Sequence, residues 1–328
     1  MKPVILVTGG AGYIGSHAVK ELRKQGYKVL AYDNLSTGHQ WAVKKDELIE
    51  GDLGDKSHVH QILKQEKPFA VMHFAASSLV GESVERPELY FRNNVINTLN
   101  LLETMLTSAV KYFIFSSSAA VYGNPHQIPI LEDHPLEPVN PYGEGKTFVE
   151  KALRWYAEIH GLKYISLRYF NAAGADPEGE LGEAHDPETH LIPRILEVAL
   201  DKRPSIEIYG TDYDTPDGAC IRDYIHVTDL AQAHILALEA LFKGHPSCVY
   251  NLGNQKGVSV REVIEAAREV TGHPITTKES PRRPGDPPML VANSERIKKE
   301  LGWKPRYDDL KTIIETAWKW MRRKGDKE

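Results

Sequence analysis

The chain opens on a run of four apolar residues, Val4 to Val7, then changes character at Thr8-Gly9-Gly10-Ala11-Gly12-Tyr13-Ile14-Gly15 ahead of an amphipathic stretch. A short run that is apolar at every position is the mark of a strand covered on both faces, as in the middle of a parallel sheet. Comparable runs recur at 27–32, 48–50, 69–74, 112–115, 164–169 and 249–252. Stretches of helical period separate nearly all of them, so the alternation predicts an α/β fold built on a doubly wound parallel sheet. Between 172 and 220 the pattern loosens into Gly, Pro, Asp and Glu around one helix over 192–200. Further helices are predicted over 229–243, 258–272 and 308–323. The chain therefore divides into a first domain over 1–172 and a smaller mixed α/β C-terminal domain over 173–328. The helix and strand near 229–252 return to the first sheet, which makes the second domain discontinuous.

The strand-to-helix turn at Gly9, Gly12 and Gly15 gives the first domain its chemistry. Glycines let the backbone turn sharply and approach a pyrophosphate, whose charge meets the free N–H groups at the helix N-terminus. Glycine clusters also arise from the sterics of tight turns alone. The next strand, however, ends at Asp33, 18 residues beyond Gly15, where a carboxylate accepts hydrogen bonds from the adenosine ribose hydroxyls. No Arg or Lys stands among Asn34 to Gly38 to meet a 2′-phosphate. The expected fold is thus Rossmann-like and the expected cofactor is NAD.

Residues 87–106 place apolar side chains over more than one helical face. One face covers the sheet, and the surplus suits either a partner subunit, as in a homodimer through paired helices, or burial within a large monomer. With 41% hydrophobic and 26% charged residues and a formal charge of -5, the chain supports a large core. Its basic residues form no stripe, so nucleic acid is not an expected partner. Cys220 and Cys248 are too few for a disulfide framework and lack metal-ligand spacing, so no metal site is expected. The opening is too short in apolar residues for a signal peptide, and no run reaches membrane-spanning length. The expected location is cytoplasmic, without a membrane partner.

A strand ending at Phe115 runs into Ser116-Ser117-Ser118, and Tyr142 and Lys146 follow four apart at the start of a predicted helix, hence on one face. The spacing alone is weak, since Tyr307 and Lys311 share it; their polar C-terminal setting marks them as structural. A tyrosine acts as a base near neutral pH only when its phenolate is stabilised, because its ordinary pKa is about 10. A cation roughly 5 Å away contributes about 3 kcal/mol at an effective dielectric near 20. Lys146 and an oxidised nicotinamide are the candidates. Ser118 is positioned either to hydrogen-bond the same substrate oxygen or simply to cap its strand end.

Thr8-Gly9-x-x-Gly12-x-x-Gly15, Gly51-Asp52-Leu53, His73-Phe74-Ala75-Ala76, Asn93-Asn94, Ser116-Ser117-Ser118, Tyr142-x-x-x-Lys146 and Arg168-Tyr169-Phe170-Asn171 resemble the extended short-chain dehydrogenase/reductase superfamily. Within it, Leu79-Val80-Gly81-Glu82-Ser83, the segment from Gly218 to Val227 and Arg282-Arg283-Pro284-Gly285-Asp286 resemble the UDP-glucose 4-epimerase family. The likeness spans nearly the whole chain. It implies interconversion of UDP-glucose and UDP-galactose through a 4-keto sugar, with tightly bound NAD and Ser118, Tyr142 and Lys146 as the catalytic group. Gly9, Gly12, Tyr13, Ile14, Gly15, Asp33 and Asn34 then belong to the cofactor, as do Asp52 and Leu53 at the adenine. Phe74, Ala75, Ala76, Ser78, Asn93 and Phe170 line the nicotinamide half, Ser78 standing where some members carry a lysine. By the same resemblance Asn171, Arg222 and Arg283 hold the UDP-sugar diphosphate, Leu191 and Tyr209 lie near the uracil, and Asp286 meets its ribose. Arginines suit phosphate through planar, charge-assisted hydrogen bonds, although Arg222-Asp223 read alone is equally a surface ion pair. Leu290 occupies a gate position beside the sugar and implies acceptance of the N-acetylated pair as well. Two other functions remain in view: a nucleotide-sugar dehydratase or decarboxylase, and a catalytically inactive NAD-binding regulatory protein. The first needs acids where this chain has Ala119 and Ala120; the second is disfavoured by the intact Ser118, Tyr142 and Lys146.

Overall fold

In the computed structural model, which describes residues 2–283 and 286–325, the apolar runs form one parallel sheet. Its first strands are β1 (Val4–Thr8), β2 (Lys28–Asp33), β3 (Leu48–Glu50), β4 (Ala70–His73), β5 (Tyr112–Ser118) and β6 (Lys163–Tyr169). Later come β7 (Asn171–Ala173), β8 (Ile206–Tyr209), β9 (Ile221–His226), β10 (Cys248–Leu252), β11 (Gly257–Ser259), β12 (Thr277–Ser280) and β13 (Met289–Leu290). The helices of the first half are α1 (Tyr13–Lys24), α2 (Lys56–Glu66), α3 (Val80–Glu85), α4 (Pro87–Tyr90), α5 (Asn97–Thr107) and α6 (Pro141–His160). Those of the second half are α7 (Leu191–Ala199), α8 (Val227–Phe242), α9 (Val260–Thr271), α10 (Glu295–Leu301) and α11 (Leu310–Gly325).

The seven-stranded sheet runs β10-β6-β5-β4-β1-β2-β3, parallel at every pairing. Strand order reverses between β1 and β4, and the loops leaving the C-terminal ends of those two strands diverge to opposite faces, opening a crevice for a ligand. Alternate residues of β1 feed the two cores. Ile5 and Val7 pack with Val19 and Leu22 of α1 and Leu230 and Leu238 of α8. Leu6 faces the other way, toward Leu63, Leu101, Leu102, Met105 and Val149. Each such side chain contributes roughly 1.5–3 kcal/mol by leaving water, which is why β1 is apolar throughout. β10 forms the edge of this sheet beside β6, and α8 packs against it with α1.

The remaining strands form β11-β9-β13, with β7 pairing β9, and a separate β8–β12 pair. Around them α7, α9 and α11 enclose Ile195, Leu196, Ile264, Ile313 and Ile314. Helix α9 starts two residues later than the pattern suggests because Ser259 and Glu262 form a reciprocal capping box. The single helix expected over 87–106 is instead α4, a π-helical segment Phe91–Ile96, and α5. No helix among the described residues is long and apolar enough to cross a membrane.

Candidate active site

A cavity of about 1060 Å³ lies between the C-terminal edge of the large sheet and the smaller lobe, at the upper end of the range for a single drug-sized ligand. Every residue expected from the sequence to serve catalysis, cofactor or substrate lines it, from Gly9 on β1's turn to Leu290 on β13. Of the Arg282–Asp286 motif, Pro284 and Gly285 lie outside the described residues.

At the cofactor end, Gly9 adopts φ +71°, and a Cβ there would lie 2.5 Å from the Ala75 nitrogen. A Cβ on Gly15 would lie 2.0 Å from the Gly9 carbonyl oxygen. The turn and the first helical residues are thus pressed together. Gly12 caps α1 without a side chain, and the first turn carries no acidic residue, so the helix N–H groups face the cavity free to take a pyrophosphate. This cradle fits NAD. Asp33 is more occupied than the sequence suggests: its two oxygens already accept the N–H groups of Ala11 at 2.9 Å and Leu35 at 2.8 Å. A second lone pair on each remains for a ribose hydroxyl. Asn34 donates to Asp52 at 2.7 Å, which joins two residues expected at the adenosine. The Tyr13 hydroxyl donates to the Gly174 carbonyl at 2.6 Å, where the chain passes into the smaller lobe.

The π-helical segment carries Asn93 and Asn94. Asn94 clamps the loop after β4, accepting from the Ser77 N–H and donating to its carbonyl, both at 2.8 Å. Asn93 donates to the Ser77 hydroxyl at 3.1 Å. One extra residue per turn swings both amides toward that loop, a common use of π-bulges. Behind it, burial holds His73 down to about 3, the Lys146 charge adding to the effect. Its neutral ring links the Thr8 and Thr98 hydroxyls.

Helix α6 brings Tyr142 and Lys146 to the mouth of β5. Pro141 occupies its first turn and the Asn140 side chain accepts from the Gly143 N–H at 2.9 Å. A Cβ on Gly143 would lie 2.4 Å from the Ala120 carbonyl oxygen, so glycine is what lets α6 approach. Lys146 donates to the Ser116 carbonyl at 2.7 Å and sits 5.0 Å from the Phe115 ring centroid and 5.7 Å from that of Tyr142. Ser118 both caps the short turn Ala119–Tyr122, through the Ala120 N–H at 3.1 Å, and acts on the Tyr142 phenol.

The electrostatics differ from the sequence expectation. Burial pushes the Tyr142 phenol above its ordinary pKa, and only the Ser118 hydroxyl works the other way. Burial brings Lys146 down to about 7, while the Glu150 charge supports its ammonium. The expected lowering of Tyr142 is therefore absent from the protein by itself: desolvation outweighs an amine that is only partly charged.

At the substrate end, Asn171 donates to the Asp223 carbonyl at 3.1 Å. Arg222 donates to the carbonyls of Ile221 and Pro287, both at 2.9 Å, and pairs with Asp286 at 3.6 Å. It makes no pair with Asp223, a fully buried carboxylate that accepts the N–H groups of Asn254, Gln255 and Ala292. The Arg283 guanidinium lies over the Tyr209 ring, 3.8 Å from its centroid. Leu290 is in register with Arg222. Tyr307 is outside the cavity, stacked on His226 at 4.5 Å.

Residues 5–253 match the model of the NAD dependent epimerase/dehydratase family. A UDP-glucose 4-epimerase of Halalkalibacterium halodurans is 55% identical over 97% of this chain and 95% of its own length. The chain belongs to that family. Among solved structures, a Brucella ovis UDP-glucose 4-epimerase in complex with NAD superimposes with TM-score 0.94 at 50% identity, over 96% of this chain and 97% of that one. A Campylobacter jejuni UDP-Glc/GlcNAc 4-epimerase gives 0.86 at 42%, over 98% and 99%.

This member of the family carries one part of the site that the sequence did not bring forward. Glu150, one turn beyond Lys146, is 6% exposed and accepts from Ser117 at 2.6 Å and from Arg168 at 2.6–3.2 Å. Arg168 also donates to the Tyr122 hydroxyl and the Glu132 carbonyl, both at 2.9 Å. The only signal for Glu150 is its position four residues past Lys146 on the same helical face.

Lys146 gives a pH test of this arrangement. Its folded pKa of about 7 lies below the ~10.4 of a free lysine, so the unfolded chain holds the extra proton between those values. Stability therefore rises with pH across that window, and the full cost of the buried ammonium falls below pH 7. Relative to the wild type, Lys146→Met is expected to be several kcal/mol better off near neutral pH than near pH 10. Urea midpoints of the two unliganded proteins across this range check it, and a difference that stays flat with pH contradicts it.

Proposed function

We propose that the protein interconverts UDP-glucose and UDP-galactose by transient oxidation at C4, as an NAD-dependent UDP-sugar 4-epimerase. The observation that carries this is one cavity holding both the free N-terminus of α1 and, at its centre, Tyr142, Lys146 and Ser118, with arginines at the far end. NAD, when bound, supplies an acceptor that takes hydride from C4 and returns it to the opposite face. Tyr142 removes the 4-hydroxyl proton, Ser118 holds that oxygen, and the Lys146 ammonium stabilises the phenolate. Asn171, Arg222 and Arg283 hold the diphosphate, Leu191 and Tyr209 flank the uracil, and Asp286 meets the ribose. With the nucleotide anchored, the 4-keto sugar turns within the cavity and presents its other face. Arg222 and Asp286, now paired with each other at 3.6 Å, exchange that contact for diphosphate and ribose. Ala119 and Ala120 follow Ser118 in the short turn and supply none of the acids a dehydratase needs there.

The half-buried Leu290 leaves room to extend the range to UDP-GlcNAc and UDP-GalNAc, as the name of the Campylobacter jejuni relative includes GlcNAc. Incubating the purified protein with UDP-galactose and no added cofactor tests the assignment. UDP-glucose is expected to accumulate to equilibrium; a requirement for free NAD or NADH in each turnover overturns it in favour of a net dehydrogenase.

The working unit is a homodimer. Phe91 and Ile96 beside α5, and Phe148, Trp155 and Ile159 on α6, are 42–66% exposed, an apolar face on two adjoining helical segments that a partner's matching face covers. Phe148→Glu with Trp155→Glu is expected to yield monomers by sedimentation, and an unchanged dimer sinks this interface. The free thiols of Cys220 and Cys248 support a reducing, cytoplasmic setting. Sheet topology supports a division close to the expected 172/173 but ahead of β7, since β7 (Asn171–Ala173) already pairs β9 of the smaller lobe, with α8 and β10 returning to the NAD-binding part.

A further inference from the structure

The cavity wall just ahead of α7 carries a second constellation, to which the steps proposed above assign no role. Glu183, His185, Glu188 and His190 each offer one ligand atom, and these atoms all lie within 4.8 Å of one another. Both histidines present Nδ1 to the same carboxylate oxygen: Glu183 Oε1 is 2.5 Å from His190 and 3.1 Å from His185. Glu188 approaches the same two nitrogens at 3.5 and 3.8 Å. Close as they are, these contacts are not aligned hydrogen bonds, and both Glu183 Oε1 and His185 Nδ1 are buried without a hydrogen-bond partner. The two carboxylate side chains are only 6% and 8% exposed, and their ion-pair partners among the described residues are these imidazoles alone. A proton on one ring answers one contact. A divalent cation answers all four, neutralising both carboxylates and taking a lone pair from each ring.

We propose that Glu183, His185, Glu188 and His190 form a binding site for a divalent transition-metal ion, zinc by preference. Two imidazole nitrogens and two carboxylate oxygens are a donor set that zinc takes at about 2.0–2.2 Å in tetrahedral geometry. Magnesium and calcium favour all-oxygen sets and copper(I) favours thiolate, so the ligand chemistry selects against them. Ligand atoms about 2.1 Å from a tetrahedral ion stand roughly 3.4 Å apart, so on loading the 2.5 Å Glu183–His190 contact opens by about an ångström while the widest separations, up to 4.8 Å, close. His190, with 45% of its side chain exposed, has the freedom to shift. The bracing around them is already built. Glu188 Oε1 accepts the N–H groups of Thr189 and His190 at 2.8 and 2.9 Å, leaving Oε2 for the ion. The backbone is tied down on either side, with the Trp320 indole donating to the Glu183 carbonyl at 2.9 Å and His39 bonded to the Ala184 carbonyl at 2.7 Å.

The ion acts as a clamp and takes no part in the hydride chemistry. His185 meets the Tyr13 ring edge-on at 6.3 Å, and His190 leads directly into α7. Metal binding therefore ties the glycine turn to the segment that begins at Leu191.

The test uses the full-length protein, stripped with chelator and dialysed, then titrated with ZnCl2 by calorimetry and with CoCl2 by visible absorption. About one Zn²⁺ per chain is expected, with a raised unfolding temperature and the intense Co²⁺ bands of a four-coordinate site. His185→Ala and the milder His190→Gln are each expected to weaken Zn²⁺ binding by roughly 100-fold or more, with circular dichroism confirming that both fold. Cys220→Ser with Cys248→Ser, and His126→Ala, leave it unchanged. No stoichiometric uptake by the wild type, or uptake that survives both histidine substitutions, overturns the site and leaves an imidazolium–carboxylate cluster. Metal content is read without turnover, so the outcome stands apart from whether UDP-galactose is converted.

Discussion

Tyr142→Phe is expected to lower turnover of UDP-galactose by about a thousandfold while leaving nucleotide affinity within a factor of about two. The ring is 8% exposed, and its burial is retained by phenylalanine, so what disappears is the hydroxyl. That hydroxyl is engaged by Ser118 in the cavity wall, and Lys146 stands 5.7 Å from the ring centroid. Because burial alone drives the phenol upward, the unliganded protein is a poor base. An oxidised nicotinamide, when bound, would supply the positive charge that favours the phenolate. Steady-state rates with a direct nucleotide-binding measurement decide it. A variant that still turns over at a tenth of the wild-type rate or better removes Tyr142 from the base role.

Arg168→Leu is expected to cost about 3–5 kcal/mol of stability, the usual penalty for stranding one partner of a buried ion pair. Both side chains are 5% exposed, and without Arg168 the Glu150 carboxylate keeps only the Ser117 hydroxyl as a close donor. The Tyr122 hydroxyl and the Glu132 carbonyl lose a partner in the same step. Adding Glu150→Leu is expected to restore much of the loss, since an apolar pair of similar volume has no charge to strand. Urea unfolding of both variants tests the account. If Arg168→Leu costs less than about 1 kcal/mol, the pair is not holding the α6–β6 contact.

Much of this site is local in the chain and so can be read there. An all-apolar β1 followed at once by Gly9, Gly12 and Gly15 states both the strand's burial and the turn's geometry, and Tyr142 and Lys146 share a helical face by spacing alone. What escaped depends on elements that meet only after folding. Glu150 and Arg168 come from a helix and a strand 18 residues apart, and neither position advertises the other. The π-helical turn escaped because an apolar period of 3.6 does not report one inserted residue; it showed only as too many apolar faces between Pro87 and Leu106. The upward push on the unliganded Tyr142 phenol escaped because desolvation is a property of the packed site. The meeting of Glu183 with the histidines at 185 and 190 also escaped, because nothing in the spacing along the chain says that these side chains converge.

The hydroxyl of Tyr13 bridges two halves of the molecule through its 2.6 Å bond to Gly174. A residue in the first turn of α1 is thereby fastened to the stretch where the chain passes into the smaller lobe. Were ligand occupancy at either end to strain that bond, linkage would make the effect mutual: whatever factor dinucleotide added to hexose affinity, the hexose nucleotide would return in full.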